Sequence, residues 1–591
     1  MAAGTLRAGV PARPLIVLLF LGLSFLFYFP YLHAGFSGDD FIFLSMIEGD
    51  MPFDPLLGFW HGDLHSYPCF QSLWWIDRGV GGAFLRPLPG WILMSLYEGF
   101  GRNALPYHAV LIMLHGLNAL LAFFLLWRLS RRAAPAFLAA FLFLICEDHG
   151  MTVGWITTIT DLVSTFFLLL ALLCHVVHRE EERRWLFIGS MIFFLAALLS
   201  KETAFVYPLL ILAYEWVFAG PHAGGKGARF RLLLRRPWPW LTPILLVAAY
   251  SVLYRSVVPP MRNMMYVDPT GEPLRYIGTV ITNLPVMITA LLTQLLPSVA
   301  VLLPAALPYA AISGVALASL FLWGLAPFRR ERVILFSSAA FVVGLLPGLA
   351  AVPGERLLYF PTIFGLFPVA WLIVRAPFLR RFLAPGSPRG VRVLGPVWGW
   401  YLFLSALVAP LALLYVYAPM WMDGMRVPDE TVKQSLTAVE ESGAEYVFYL
   451  NTSSSYNTFY LPDVFRYHLG RFIDVRPLSS FYGKVRAKAE SEKALRLRAD
   501  RRGWLGNMFA SVVRMNPVLA EGETFEAPPL RATLLEVTGD GRDVLEARFE
   551  FDRPLEDGSF LFLYHDGRTY RRYQPSAEWK LLNPRLSGVG F

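Results

Sequence analysis

Two adjacent acids and a lysine–glutamate pair are the residues of this chain whose types and spacing best suit catalysis. Asp39 and Asp40 are neighbours, as are Lys201 and Glu202, and each pair stands beside a long apolar stretch. A carboxylate can remove the proton of an acceptor hydroxyl, and a lysine ammonium binds phosphate as a point charge. These residue types therefore indicate a general base acting beside a bound phosphate.

Five more charged or histidine residues share this position at the ends of apolar stretches. They are Arg86, His149, Asp161, Glu355 and Arg356. The two arginines can bind a phosphate through paired hydrogen bonds. Glu202 and Glu355 can pair with the cations and hold their rotamers. Structural roles stay open for all of these residues: the aspartates can cap helices, and the cations can form ordinary ion pairs.

The composition excludes a single soluble globular enzyme. Of 591 residues, 55% are hydrophobic and only 16% are charged, and the mean hydropathy is +0.48. Soluble domains carry about a quarter charged residues, whereas an aromatic share of 15% fits a polytopic membrane protein. The three cysteines lack metal-type spacing, and no Walker or Rossmann glycine loop is present. Zinc and nucleotide-driven chemistry are therefore disfavoured.

Eleven apolar segments are predicted to cross the membrane, for which a helix needs about 20 residues; several are shorter, which suggests tilted or bundle-buried helices. They are 15–32, 107–127, 133–147, 158–178, 185–200, 203–219, 238–258, 308–326, 333–351, 357–374 and 396–417. Arginine-rich stretches fall in alternate loops, which places the N-terminus in the cytoplasm by the positive-inside rule. Those stretches are Arg7/Arg13, Arg128/Arg131/Arg132, Arg179/Arg183/Arg184, 229–236, Arg329/Arg330/Arg332 and 375–392.

Segment 276–297 is predicted not to span. It contains Thr282, Asn283, Thr289, Thr293 and Gln294. If it crossed the membrane, the basic stretches after it would lie outside. We therefore expect a non-spanning or re-entrant helix on the outer side, where protein or water satisfies its polar groups.

In this topology the candidate residues meet at the outer membrane face. Charges held against a membrane by short turns are costly unless they are paired or used. Their convergence from five loops predicts a polar active site there. A transporter or flippase of lipid-linked sugars would place its ionisable groups near the midplane, and a catalytically silent scaffold would not need Asp39 and Asp40. Both stay open as alternatives.

The chain divides into a predicted membrane domain, 1–418, and a predicted outer domain, 419–591. Within the first, 33–106 form a long outer loop with helices along the membrane. Within the second, 428–480 are predicted to form an α/β unit and 484–502 a basic helix. Residues 530–591 are predicted to form a β-meander, because strand-like runs alternate there with Gly-Asp-Gly and Glu-Asp-Gly turns. The predicted fold class is a polytopic α-helical membrane protein with a C-terminal α/β plus β-rich domain.

Six short motifs, in this order, carry a family resemblance. They are Asp39-Asp40, Arg86-Pro87-Leu88, His115-Gly-Leu-Asn118, His149-x-x-x-Val153-x-Trp155-Ile156 with Asp161-Leu162, Ser200-Lys201-Glu202, and Glu355-Arg356-x-x-Tyr359-x-Pro361. With them the chain resembles the GT-C superfamily of polytopic glycosyltransferases. It is most similar to relatives of the protein O-mannosyltransferases and of the tetratricopeptide-containing transmembrane O-mannosyltransferases, although it has no such repeats.

The resemblance implies an inverting transfer of a sugar from a polyprenyl-phosphate donor to a hydroxyl acceptor on a glycan, lipid or protein. It makes Asp39 the expected base, with Asp40 second. It makes Arg356 and Lys201 phosphate contacts and places His149, Asp161 and Glu202 in the pocket. Met151 departs from the family, which often has an acid there.

The resemblance also implies the partners and the location of the chain. The expected partners are the lipid-linked donor, the acceptor and membrane lipid, with no nucleic acid. No cofactor is expected to be required, although paired acids can hold a divalent ion. Loops rich in Ala, Arg, Gly and Pro favour a prokaryotic chain. The expected location is therefore a cell inner membrane, with the C-terminal domain in the periplasm.

Overall fold

The structure, a computed structural model, describes most of the chain. The described residues are 13–49, 67–77, 84–218, 233–258, 266–293, 307–374, 404–454, 457–480, 484–500, 503–507 and 518–583, with 51, 80, 231, 297, 510, 513 and 514. The predicted basic loop 375–392 and the first part of the predicted span 396–417 lie outside these residues.

The chain folds into two compact units. The helical unit comprises the described residues of Met1–Gly35, Leu85–Ser256 and Tyr266–Met422. The tail unit comprises those of Phe36–Phe84, Val257–Met265 and Asp423–Phe591. Part of the predicted first outer loop therefore belongs to the same unit as the C-terminal part of the chain. The functional division at residue 418 stays a prediction.

Helices make up the helical unit and a smaller part of the tail unit. In chain order they are α1 Arg13–Tyr28, α2 Asp39–Ile47, α3 Pro68–Gln71, α4 Pro87–Phe100, α5 Ala104–Ser130, α6 Ala133–Ile145, α7 Gly150–Gly154, α8 Ile159–Glu181, α9 Arg184–Leu198, α10 Tyr207–Phe218, α11 Trp238–Val257, α12 Pro273–Thr293, α13 Leu307–Leu325, α14 Arg332–Leu345, α15 Tyr359–Val374, α16 Ala409–Ser442 and α17 Asn457–Leu469.

Eight helical segments among the described residues are long and apolar enough to cross a membrane. They are Pro14–His33, Ala104–Ser130, Ile156–Glu181, Trp238–Val257, Pro273–Thr293, Leu307–Phe328, Arg332–Ala350 and Glu355–Val374. The pair Ala133–Ile145 and Glu147–Gly154, bent by 50°, makes a ninth if it is one span. These helices, together with the β-rich tail, confirm the predicted fold class of a multi-pass helical protein with a C-terminal α/β and β domain.

Helix α12 qualifies as a span by length and composition, so its predicted non-spanning place stays a prediction. Its threonines bond backbone carbonyls of α12 or of a neighbouring helix: Thr293 Oγ1 donates to the Thr289 carbonyl at 2.7 Å, and Thr289 Oγ1 lies 2.8 Å from the Ala310 carbonyl of α13. Such bonds remove much of the cost of placing hydroxyls in lipid. The polarity that argued against a span in 276–297 therefore does not exclude one, and the count of eleven spans stays a prediction.

The strands among the described residues lie in the tail unit. They are β1 Tyr446–Tyr449, β2 Asp474–Pro477, β3 Val485–Ser491, β4 Ala494–Ala499, β5 Thr524–Ala527, β6 Leu530–Val537, β7 Val544–Phe551, β8 Phe560–His565, β9 Tyr570–Arg572 and β10 Lys580–Leu581. One sheet has the order β2-β1-β8-β9, with β1 parallel to β2 and to β8. The other has the order β10-β3-β4-β7-β6-β5, and its strands pair antiparallel.

The prediction of a basic helix over 484–502 is wrong, because strands β3 and β4 form an antiparallel hairpin there. Val485 and Ala487 are buried, whereas Arg486 between them is exposed. This alternation has the period of a strand and not that of a helix. The basic side chains lie on the sheet surface, where Arg486 Nε bonds Asp500 at 2.9 Å.

A residue of the predicted first outer loop is anchored in the tail unit. Trp74 Nε1 donates to the Leu478 carbonyl at 3.0 Å, and its ring packs edge-on against Phe525 and Phe549. A large aromatic ring buried in this way contributes strongly to packing. Trp74 therefore packs in the core of the tail unit, where it is 2% exposed.

Candidate functional site

A buried ion pair joins the start of α8 to the turn after α9. Lys201 Nζ lies 2.5 Å from Asp161 Oδ1, and the two side chains are only 10% and 9% exposed. Helices α8 and α9 form a hairpin, which brings the first turn of α8 beside the turn that follows α9. Burial lowers the pKa of the Lys201 ammonium to about 8; Asp161 opposes this shift, and the charges of Arg86 and Arg356 add to it.

A second ion pair fixes the start of α4 to the same turn. The Arg86 guanidinium donates from Nε to Glu202 Oε1 at 3.3 Å and from Nη2 to Glu202 Oε2 at 2.6 Å. Tyr254 donates to the same carboxylate at 3.4 Å. Pro87 begins α4 directly after Arg86, as suits a residue with no N–H to bond. Arg86 and Lys201 are thus held close together by separate carboxylates.

Arg356 completes this group of cations. It is exposed and lies close enough to Lys201 for its charge to act on the ammonium. Its neighbour Glu355 is buried, at 3% exposure, in the single 3-10 turn that precedes α15. We call Arg86, Lys201 and Arg356 the cation cluster. Three positive charges gathered in this way suit a phosphate ligand.

A buried acidic segment lies between α6 and α7. Glu147, Asp148 and His149 form a 3-10 turn and are at most 1% exposed. Within the described residues, both Glu147 carboxylate oxygens and Asp148 Oδ1 have no hydrogen-bond partner. The Glu355 carboxylate lies close enough for its charge to act on Glu147 and Asp148. Buried acceptors without partners are costly, so this segment is suited to receive hydroxyl donors from a ligand.

A hydrogen-bond network holds these segments in place. His115 Nδ1 bonds Tyr359 Oη at 2.8 Å, and Asn118 Nδ2 donates to the same oxygen at 3.2 Å. His115 Nε2 also meets the Leu144 carbonyl at 3.0 Å, and Asn118 Nδ2 meets the Leu162 carbonyl at 3.0 Å. The network therefore ties α5 to α15, to the end of α6 and to the start of α8. These motif residues position the site.

His149 packs within this network. Its ring centroid lies 4.8 Å from that of Tyr359, and its Nδ1 bonds the Phe143 carbonyl at 2.9 Å. Within the described residues its Nε2 has no hydrogen-bond partner. The imidazole is therefore fixed through one nitrogen and can offer the other to a ligand.

Asp39 and Asp40 lie in the tail unit at the N-terminus of α2, and their environments differ. Asp40 is fully buried, and its Oδ2 accepts from Ser37 N at 3.0 Å and from Ser37 Oγ at 3.4 Å. Asp39 is half-buried, and its Oδ1 accepts from the Tyr460 hydroxyl at 2.9 Å. Asp40 thus stabilises the chain entering its own helix, whereas Asp39 contacts α17.

The structure brings together Arg86, Asp161, Lys201, Glu202 and Arg356. It places His149 in the acidic segment and Glu355 beside it. Sequence reasoning missed Tyr254 and Tyr460, which bond two of the candidate carboxylates. Neither tyrosine carries a local sequence signal, because each lies far along the chain from its partner. Among the described residues, no group of three or more His, Cys, Asp or Glu could hold a metal ion.

Comparisons with known proteins found one curated relative at moderate identity. No protein-family profile matches the chain. Its sequence is 31% identical over 189 residues to the protein O-mannosyl-transferase Tmtc1 of Drosophila melanogaster. The match covers 32% of this chain and 21% of Tmtc1, so the chain spans about a fifth of the length of that relative. The resemblance to O-mannosyltransferases predicted from the motifs is confirmed over this stretch.

Solved structures are similar only weakly. ArnT from Cupriavidus metallidurans, bound to undecaprenyl phosphate, is 14% identical with a TM-score of 0.37, over 77% of this chain and 85% of that one. The oligosaccharyltransferase AglB from Archaeoglobus fulgidus, in complex with an inhibitory peptide and a dolichol-phosphate, is 13% identical with a TM-score of 0.36, over 79% and 65%. Likenesses at this level carry no argument about activity.

Proposed function

We propose that this chain is a membrane glycosyltransferase that moves a sugar from a polyprenyl-phosphate donor to a hydroxyl acceptor. The acceptor class is a glycan, a lipid or a protein, and the transfer inverts the anomeric carbon in the manner of a mannosyltransferase. The reaction takes place at the outer face of a cell inner membrane, with the N-terminus in the cytoplasm and the tail unit in the periplasm. The resemblance to O-mannosyltransferases supports this proposal.

The observation that carries the proposal is the cation cluster. Two of its members, Arg86 and Lys201, are held by Glu202 and Asp161 through short ion pairs. Arg356 is exposed beside them, and within the described residues no hydrogen bond or ion pair holds its guanidinium. A guanidinium presented in this way can bind a phosphate through two parallel hydrogen bonds. Arg356 is therefore the proposed first contact of the donor phosphate.

The leaving group explains why several cations are needed. When the bond between the anomeric carbon and the phosphate oxygen breaks, its electron pair stays on that oxygen. The negative charge that develops there is stabilised by cations already in place, which is the largest single term in many enzymes. Lys201 and Arg86 are the cations proposed to stabilise this charge, because their carboxylate partners hold the two positive charges in place.

Asp39 is the proposed base. Its carboxylate takes the proton of the acceptor hydroxyl as that oxygen attacks the anomeric carbon from the face opposite the phosphate. The new carbon–oxygen bond forms on the face opposite the carbon–oxygen bond that breaks, so the configuration inverts. Asp40 is less suited to this role, because its Oδ2 accepts bonds from both the N–H and the hydroxyl of Ser37.

The buried acidic segment is the proposed sugar contact. Sugars present several hydroxyl donors, and Glu147, Asp148 and His149 offer acceptors that lack partners within the described residues. Binding would therefore satisfy groups that are otherwise costly to bury. No cofactor is part of this proposal, and no step uses a divalent metal.

The test is donor consumption in membranes that contain the full chain. Membranes are supplied with polyprenyl phosphates that carry a labelled sugar, and label in new glycosides is measured together with released polyprenyl phosphate. We expect labelled glycoside and released polyprenyl phosphate to form in equal amounts, with the anomeric configuration of the product inverted. If no donor is consumed and labelled lipid crosses the bilayer instead, the chain is a flippase and the proposal fails.

A further inference from the structure

We infer that Tyr460, in the tail unit, is a positioning residue for the base Asp39. The Tyr460 hydroxyl donates to Asp39 Oδ1 at 2.9 Å across 421 positions of the chain. This inference rests on the proposed function, because it assigns a task to the residue proposed as base. It makes the C-terminal part of the chain a component of the catalytic apparatus.

The contact between Tyr460 and Asp39 belongs to a larger interface between α2 and α17. At the C-terminal end of α2, Arg466 Nη1 bonds Glu48 at 2.6 Å, and both side chains are less than 10% exposed. Tyr467 packs its ring edge-on against Phe41 at a centroid distance of 5.2 Å. Helix α2 is therefore fixed by α17 at both ends and along its length.

The position of the bond matters more than its strength. Asp39 is the first residue of α2, so the helix sets its backbone, but only side-chain contacts choose its rotamer. A carboxylate that accepts a hydrogen bond while charged keeps that orientation and has a lowered proton affinity. Catalysis depends on orientation steeply, since a displacement of about 1 Å can cost about a hundredfold in rate. Tyr460 thus fixes the direction in which Asp39 accepts its proton.

The test compares substitutions that remove different contacts of the same interface. Tyr460→Phe deletes the hydroxyl and keeps the ring. Tyr467→Phe is the matched control, because it removes a hydroxyl from the same helix and leaves the ring that packs on Phe41. Glu48→Gln removes a third contact, the ion pair with Arg466, without touching Asp39. Each full-length variant is assayed in membranes for kcat, for the KM of the donor and for the pH profile of kcat.

We expect Tyr460→Phe to lower kcat about tenfold with KM unchanged and to move the acidic limb of the kcat profile to higher pH, because the hydrogen bond that stabilises the charged carboxylate is lost. Tyr467→Phe and Glu48→Gln keep the wild-type limb. If Tyr460→Phe leaves the profile unchanged, or if Glu48→Gln moves it equally, the effect is packing alone and the inference is overturned. A wild-type chain that transfers no sugar overturns the proposed function, and the inference with it, so the two failures are distinct.

Discussion

Lys201 and Asp161 form an ion pair across forty positions of the chain, with Nζ 2.5 Å from Oδ1 and both side chains at most 10% exposed. Removing two charges from water costs about as much free energy as their attraction returns, so such a pair contributes little net stability. Its effect is positional, because it keeps an ammonium at one place beside Arg86 and Arg356. We therefore expect loss of this ion pair to weaken donor binding more than it lowers the free energy of unfolding.

The protonation of Lys201 gives donor binding an alkaline limit. Burial holds the pKa of Lys201 at about 8, so the ammonium is charged below that pH and loses its charge above it. The KM for the donor should therefore rise between pH 7 and pH 9. In Lys201→Arg the rise should vanish, since a guanidinium stays charged. Donor KM measured across this pH range checks the prediction, and an unchanged rise in Lys201→Arg would contradict it.

Arg356 should be essential for transfer but not for folding. Because its side chain is exposed, Arg356→Ala should leave the melting temperature near that of the wild type. Removal of one charge-stabilising donor at a reacting group typically costs about 10²–10³ in rate, so kcat/KM should fall by that factor. Arg356→Lys should recover part of the loss, because it restores the charge but not the paired hydrogen bonds.

The matched control for Arg356 is Arg330, which is also exposed and belongs to the same unit but not to the cation cluster. Arg330→Ala should leave kcat/KM at the wild-type value. Equal losses in Arg330→Ala and Arg356→Ala would show that the cluster has no specific role.

Asp40 should matter for stability. Asp40→Ala removes the acceptor of the Ser37 N–H bond and a negative charge at the start of α2. Loss of such a hydrogen bond costs about 1 kcal/mol of unfolding free energy. Thermal denaturation should register this cost, while transfer per folded molecule stays close to that of the wild type. A folded Asp40→Ala protein without transfer activity would identify Asp40, and not Asp39, as the base.

Asp463 should make the tail unit more stable at acidic pH. Burial raises the pKa of Asp463 to about 7, with Ser45 and Cys69 beside the carboxyl acting in the opposite direction. The unfolded chain ionises this group near pH 4. The folded state therefore binds the proton more tightly, and its advantage, complete below pH 4, is lost as the pH rises to about 7.

The substitution that isolates this effect is Asp463→Asn, which keeps the shape of the side chain and cannot ionise. Melting temperatures between pH 4 and pH 8 should decline less in Asp463→Asn than in the wild type. Parallel curves for the two proteins would mean that Asp463 is ionised in the folded tail unit throughout this range.

Part of the site could be predicted because charged residues are conspicuous at the ends of apolar segments. Arg86, Lys201 and Arg356 were found in this way, and the structure places them together. Tyr460 could not be found, since a tyrosine in a mixed helix has no feature that predicts a bond to a residue 421 positions away. Long-range contacts of this kind depend on how the units fold and not on local pattern.

The error in the fold prediction has a local cause. In 484–502 the abundance of lysine, arginine and glutamate favoured a helix, although the alternation of Val485, Arg486 and Ala487 already had the period of a strand. In α12 the hydroxyl residues favour a segment outside the membrane, but Thr293 bonds a carbonyl of its own helix, and whether α12 spans the membrane stays a prediction. Composition misled in 484–502, where periodicity decides.

The most direct test of the central claim is sugar transfer by Asp39→Asn and by the wild type at matched expression in membranes supplied with polyprenyl-phosphate-linked sugars. Asparagine keeps the size of the side chain and an oxygen for the Tyr460 hydroxyl, but it cannot take a proton from the acceptor. Loss of a general base costs about 10²–10⁴ in rate. We predict that Asp39→Asn binds the donor with wild-type KM and that its kcat falls by that factor. Full transfer by Asp39→Asn would contradict the account.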